Sequence, residues 1–354
     1  MRRGGQVVGV SSVTAGSAMG GDPVREQRGR WARGRVRAEA ALRAGEEAYL
    51  GQVQAVAQYF VALLKAKGTL EPDAREAIFG RWGALCGISR ALLSHLERGL
   101  LGPGLEAFCA QIGVFLHYAE DLPRARETLE RQVRKNKAFS RFKRLQETRP
   151  EFGGSRLEDL LLLPLQRLRQ YKPLLLDLVE NTPLEIPDAE QLRAALKSVA
   201  EAVHQIQEIA RFHENVDHLS RIQKLLKGRK TQVMQPGRWF LQEGWLMVAP
   251  PKGEGLRPRM FFLFSDVLLM ARPCHPLHPW NAHKVAVKEV LWLQPQCSVA
   301  KVFGHSRGHG GLLSLSFPHK TLLLVSFDQE DLDTWHRNLT AAIRKLQTSI
   351  SQGH

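Results

Sequence analysis

Cysteine is scarce in this chain: there are four in 354 residues, at positions 86, 109, 274 and 297, and no two form a CxxC pair. No CxxC redox or zinc pair is therefore available, and free thiols in a reducing, cytoplasmic setting are expected. Long apolar runs are lacking as well. The longest, such as Leu160–Leu165 and Phe261–Phe264, fall far short of the roughly 20 residues that cross a bilayer. Membrane contact is therefore expected only as peripheral association at the plasma membrane, and no apolar secretory leader is seen. The phosphate loop GxxxxGK(S/T), the nucleophile elbow GxSxG and the zinc helix HExxH are all missing, which leaves hydrolase and kinase chemistry without a footing.

What is present is ample apolar material, 44% of the residues, enough for two domains that each bury a core. Lys and Arg outnumber Asp and Glu by 50 to 35, giving a net charge of +15, which favours an anionic partner. The excess is evenly spread, with a net +5 in each of residues 1–40, 41–230 and 231–354. No domain is a dedicated polycation.

Residues 1–34 show neither helical nor strand periodicity and are expected to form a disordered basic tail. Its Arg25, Arg28, Arg30 and Arg33, with Arg35 and Arg37 beyond, would suit anionic lipid or RNA. From about Arg35 a helical stripe runs through Leu42, Tyr49, Val53, Val56, Phe60 and Leu64. Gly68 and Pro72 interrupt it, and further stripes follow through Ile78, Trp82, Leu85, Leu92 and Leu96. Between Leu157 and Val179 the helical pattern contains Pro164 and Pro173, which should bend or divide it. A very long helix starts near Asp188 and carries Leu192, Val199, Ile206, Leu219, Ile222 and Leu226. Residues 35–230 thus read as all helix.

The pattern changes at residue 231. Trp239–Val248, Val285–Leu293, Ser298–Phe303, Leu312–Phe317 and Thr321–Phe327 read as strands, as do the two short apolar runs Phe261–Phe264 and Val267–Met270. Ser265 and Asp266 make a two-residue hairpin loop without the glycine usual there. A helix capped by Asp328, with the stripe Leu332, Trp335, Leu339, Ile343 and Leu346, closes residues 231–347, and 348–354 are expected to be a short disordered tail. The fold class is α then β: a helical bundle followed by a seven-stranded antiparallel barrel capped by a C-terminal helix.

Local motifs sharpen this outline. Leu161–Leu176, LLLPLQRLRQYKPLLL, places Pro164, Gln166, Arg167, Leu168 and Tyr171 in the spacing of a Pro-x-Gln-Arg-Ile-x-x-Tyr core. Glu46 and Tyr49 open an amphipathic helix, Lys135–Glu147 reads KNKAFSRFKRLQE, and Arg211, Glu214, Asn215, Leu219, Ile222 and Gln223 lie along the last long helix. Together they resemble the Dbl-homology (DH) domain of the Dbl family of Rho guanine nucleotide exchange factors. The EGWL of Glu243–Leu246, the FFLFSDVLLMAR of Phe261–Arg272 and the late Trp335 are similar to the pleckstrin-homology (PH) domain that follows it. The resemblance spans about residues 35–347.

That resemblance implies a protein that makes and breaks no covalent bond and needs no cofactor, an exchange factor rather than an enzyme in the bond-making sense. It would bind the switch segments of a Rho, Rac or Cdc-type GTPase and stabilise the nucleotide-free state, so that catalysis is differential binding. By the same resemblance the GTPase-contact candidates are Glu46, Tyr49, Leu163, Gln166, Arg167, Gln207, Arg211 and Asn215. Lys252, Arg257 and Arg259 sit where some relatives grip phosphoinositides, although weak anionic membrane contact fits this Pro- and Gly-rich loop better. The chain departs from the family pattern at Gly45, where Thr is usual, at Leu163 and Ala210, where Lys is usual, and at Gln207, where Asn is usual. Those departures keep a second reading open, a DH-PH scaffold or lipid- or GTPase-binding adaptor without exchange activity.

Three clusters point elsewhere and carry little. Cys274, His275, His278 and His283 lie among prolines without a completing pair, and His305 and His309 lie among glycines, so no metal site is expected. Lys135, Lys137, Arg141, Lys143 and Arg144 alternate with Phe139 and Phe142; the phenylalanines should sink into a helical core and the charges turn to water, so no nucleic acid is expected as a partner.

Overall fold

The computed structural model describes residues 23–228, 231–250, 255–274, 284–303 and 310–351. The chain divides into two compact units, Met1–Ile209 and Ala210–His354. Lys252, His275, His278, His283, His305, His309 and the first 22 residues of the expected basic tail lie outside the described residues.

Helix α1 (Pro23–Val56) starts twelve residues before the apolar stripe suggested. Periodicity reports a face turned to a core, and residues 23–34 have little of one. Their helix rests on local terms instead: Pro at the first position, Glu26 in the first turn, and a run rich in Arg, Ala, Glu and Gln. From Ala38 onward the stripe holds, and Leu42, Tyr49, Val53, Val56, Phe60 and Leu64 are all buried. A π-helical turn, Ala57–Ala62, joins α1 to α2 (Leu63–Lys67), which ends at Gly68 in the left-handed region, φ 59°.

The first unit continues with α3 (Pro72–Phe79), α4 (Trp82–Glu97), α5 (Leu101–Cys109), α6 (Gly113–Lys135), α7 (Lys137–Glu147), α8 (Leu157–Leu160), α9 (Leu163–Glu180) and the first part of α10 (Ala189–Leu225). The two prolines act differently. Pro164 sits in the first turn of α9 and marks the division from α8, whereas Pro173 is accommodated inside α9. Trp82 of α4 is buried, and its indole N–H donates to the Val53 carbonyl at 2.8 Å, tying α4 to α1. Phe139 and Phe142 of α7 are buried as expected. Lys143 is not turned to water: it is 4% exposed, held by Glu147 at 2.7 Å and Glu158 at 2.9 Å. Two carboxylates make that burial tolerable; Glu147 lies one helical turn along α7, while Glu158, on α8, is not visible from helical spacing.

In the second unit β1 (Phe240–Ala249), β2 (Arg257–Phe264), β3 (Val267–Pro273), β4 (Val285–Trp292), β5 (Ser298–Phe303), β6 (Gly311–Phe317) and β7 (Lys320–Ser326) form one antiparallel sheet in the order β4-β3-β2-β1-β7-β6-β5. The sheet curls, since Leu268 and Leu291 near one edge share a core with Leu313 and Leu315 near the other. α11 (Gln329–Ser351) lays Leu332, Trp335, Leu339 and Ile343 into that core, and Asp328 Oδ1 accepts from the Glu330 amide at 2.9 Å. It runs past the point where a disordered tail was expected to begin at residue 348.

The hairpin loop Ser265–Asp266 lacks glycine and is secured by a side chain instead. Arg238 grips the Asp266 carboxylate with Nε at 2.8 Å and Nη2 at 2.7 Å, a bidentate pair. The second half of strand β2, Phe261–Phe264, is buried on both faces. Phe261 and Leu263 join the core beneath α11, while Phe262 and Phe264 pack with Leu219, Ile222 and Leu226 at the end of α10. The end of α10, read from its apolar stripe as part of the helical half, therefore serves the sheet.

Candidate functional site

Within the first unit, the residues carrying the sequence motifs converge on one buried carboxylate. Glu46, in the middle of α1, has no solvent exposure. Its Oε1 accepts a hydrogen bond from the Ser89 hydroxyl of α4. Its Oε2 accepts from the Tyr171 hydroxyl of α9 at 2.6 Å and from Arg167 Nε and Nη2, each at 3.1 Å. Arg167 is 3% exposed; its remaining donors reach the Leu42 carbonyl and the Gln170 side chain, both at 3.3 Å, and its guanidinium lies 4.5 Å over the Tyr171 ring. One carboxylate thus joins three helices, α1, α4 and α9.

The spacing explains the convergence. Arg167 and Tyr171 are four apart and so share one face of α9, and that face meets α1 at Glu46. Gly45 makes the approach fit: a Cβ there would stand 2.7 Å from Arg167 Nη1. In this chain the Arg167 guanidinium therefore occupies space that a side chain at position 45 would take. Tyr171 is pushed well above the ordinary tyrosine pKa, first by burial and then by the Glu46 charge. Its hydroxyl accordingly stays a proton donor to that carboxylate. Tyr49, one turn along α1, is raised in the same way and for the same first cause.

The sequence-derived candidates separate by exposure. Gln166 on α9 and Gln207 on α10 are exposed, and Leu163 at the start of α9 is half-buried. Glu46, Tyr49 and Arg167 are buried, so a partner reaches them only if the seam between α1 and α9 opens. In the second unit Asn215 is 6% exposed and clamps the start of β1, donating to the Arg238 carbonyl at 2.8 Å and accepting from the Phe240 amide at 2.7 Å. Arg211 is exposed, with its guanidinium 4.9 Å over the Trp239 ring. Arg257 and Arg259 lie on β2, Arg257 exposed and Arg259 half-buried with one bond to the Pro258 carbonyl at 2.9 Å.

Two members of the cluster were not among the candidates. Tyr171 was legible as a motif residue, though its burial was not. Ser89 carried a subtler signal: it is a hydroxyl on the apolar stripe of α4, between Leu85 and Leu92, where a polar side chain needs a buried partner. Among the described residues no group of His, Cys, Asp and Glu is arranged to hold a metal ion, and no helix is long and apolar enough to cross a membrane.

Comparison with known proteins places these elements. Residues 41–207 match the RhoGEF domain. The chain is 50% identical over 322 residues to Rho guanine nucleotide exchange factor 39 of Homo sapiens, covering 91% of this chain and 96% of that protein. The linker-DH/PH domains of p115-RhoGEF superpose with a TM-score of 0.70 at 18% identity, covering 90% of this chain and 99% of that one. The DH/PH domains of PDZ-RhoGEF, solved in complex with GTP-gamma-S activated RhoA, superpose with a TM-score of 0.65 at 18% identity, covering 92% and 96%.

Proposed function

This chain belongs to the RhoGEF family, and from that membership we propose that it is a guanine nucleotide exchange factor, releasing GDP from a Rho-family small GTPase by stabilising the nucleotide-free state. The observation that carries the reading is the half-identity to a named exchange factor over nearly the full length of both chains. The PDZ-RhoGEF structure, in which the same architecture holds RhoA, supports it. No covalent chemistry is required. The reaction is accelerated because the factor binds the open, nucleotide-free GTPase better than the closed one.

Within that reading the residues divide into two roles. Exposed Gln166 and Gln207, with half-buried Leu163, offer the side chains that touch the GTPase. Glu46, Arg167, Tyr171 and Ser89 are positioning residues, fixing α1, α4 and α9 so that the exposed face holds its shape; a charge shared by three helices resists their sliding in a way that apolar packing does not. Tyr49 packs behind them. Asn215 fixes the entry into β1, and Arg211 with Trp239 presents a cationic, aromatic face on the second unit. By the sequence pattern the DH domain covers 35–230 and the PH domain 231–347, with the last turns of α10, counted in the first, packed on the sheet of the second. The working compartment is the cytoplasm.

Release of a fluorescent GDP analogue from Rho, Rac and Cdc-type GTPases tests the proposal. Wild type should accelerate release on at least one of them, and Gln166→Ala should slow that acceleration while leaving the melting midpoint unchanged. A folded chain that binds nucleotide-free GTPase yet accelerates none would establish the scaffold reading instead.

A further inference from the structure

The basic N-terminal turns of α1 stand apart from the exchange site, and their arrangement calls for an anionic partner. Pro23–Arg37 carries six arginines against one glutamate. Arg35 is spoken for: its guanidinium grips Asp188 at 2.7 and 2.9 Å, Thr182 at 3.1 Å and Glu39 at 2.7 Å. Beside it Gly34 approaches Asn181 so closely that a Cβ would have no room. These two positions seat the helix on the first unit. Ahead of them Arg25, Arg28, Arg30 and Arg33 are exposed, and among the described residues none of the four takes part in an ion pair. Arg37, just beyond, is exposed with only a loose 3.9 Å approach to Asp177.

At 3.6 residues per turn, Arg25, Arg28, Arg30, Arg33 and Arg37 fan over a little more than half of the helix circumference. Val36, 68% exposed, lies inside that fan, and Val24 is 58% exposed at its start. Apolar side chains among arginines, whose methylene stems can lie along a surface while their heads stay hydrated, match the headgroup boundary of a bilayer. Single-stranded nucleic acid would be better served by an exposed aromatic platform. The stretch has one aromatic, Trp31, and it is half-buried. The helix is already folded and anchored, so docking incurs little ordering cost.

We propose that Pro23–Arg37 is a docking element for an anionic lipid surface, with Arg25, Arg28, Arg30 and Arg33 as its contact residues. This element is independent of exchange activity and distinct from Arg257 and Arg259 on the sheet.

Co-sedimentation of the full chain with phosphatidylcholine vesicles, with and without about a third phosphatidylserine, tests it directly. Binding should require phosphatidylserine, weaken as salt rises, and fall at least about tenfold in R25E/R28E/R30E/R33E, given the contribution each basic residue makes near an anionic surface. The milder R25Q/R28Q/R30Q/R33Q should fall between the two, and circular dichroism confirms that each variant is folded. R257E/R259E should retain most of the binding, and exchange on a soluble GTPase without vesicles should be unchanged in the arginine variants. Wild-type binding retained by folded R25E/R28E/R30E/R33E would overturn the proposal, as would its loss in R257E/R259E alone. Binding to a single-stranded RNA in place of vesicles would overturn it too.

Discussion

Replacing Glu46 with alanine leaves the Arg167 guanidinium 3% exposed with no counter-charge, and strips the Tyr171 and Ser89 hydroxyls of their acceptor. Breaking a buried pair by removing one partner costs about 3–5 kcal/mol, because the remaining charge has nowhere to go. For a domain of this size each kcal/mol moves the melting midpoint by about 2–4 °C, so the expected fall is roughly 6–20 °C. Arg167→Met should cost a similar amount by orphaning the carboxylate. Glu46→Ala/Arg167→Met, which removes both charges, should be less damaging than the sum by about 2 kcal/mol or more, since neighbours in one network do not add. Urea unfolding followed by far-ultraviolet circular dichroism supplies the four free energies. A Glu46→Ala midpoint within about 2 °C of wild type, or strictly additive single substitutions, would refute the bracing role assigned to the cluster.

Three further outcomes are expected in the first unit. Gly45→Thr forces the guanidinium of Arg167 aside, because the new Cβ would stand 2.7 Å from Nη1; a cost of about 1–3 kcal/mol should outweigh the small gain in helix propensity. Gly83→Ala in α4, where nothing lies within 4 Å, should raise the melting midpoint, by about 0.5–1 kcal/mol of stability. In alkaline titration Tyr49, Tyr118 and Tyr171 should resist ionisation, since burial raises all three. Folded values above the unfolded one of about 10 mean that the folded chain keeps protons the unfolded chain releases, so stability is full below that pH and declines above it. Tyrosinate absorbance should therefore rise together with loss of helical signal; ionisation of these three in a still-folded chain would contradict their placement.

The division between what the sequence disclosed and what it withheld is physical. Stripes such as Leu42–Leu64 and Leu332–Ile343 were legible because a buried face repeats with the period of its helix, and the strands because Val, Leu and Phe alternate between turns. The first turns of α1 were missed because solvated helix leaves no stripe. Glu158 beside Lys143 and Glu46 beside Ser89 were missed because contacts between different helices have no period at all. Glu46 was legible as a motif residue; that its carboxylate faces inward depended on Arg167 and Tyr171, 121 and 125 positions away.

The second half of strand β2, buried on both faces, bears on where the second unit can be cut. A fragment beginning at Thr231 would keep every strand and α11, yet it would lose Leu219, Ile222 and Leu226, the cover over Phe262 and Phe264. Its outer face would then be a greasy, two-stranded strip available to any neighbouring molecule. A fragment beginning at Ala210 carries its own lid. The boundary between the two cores therefore falls inside a helix, and the last turns of that helix belong to the sheet as surely as any strand does.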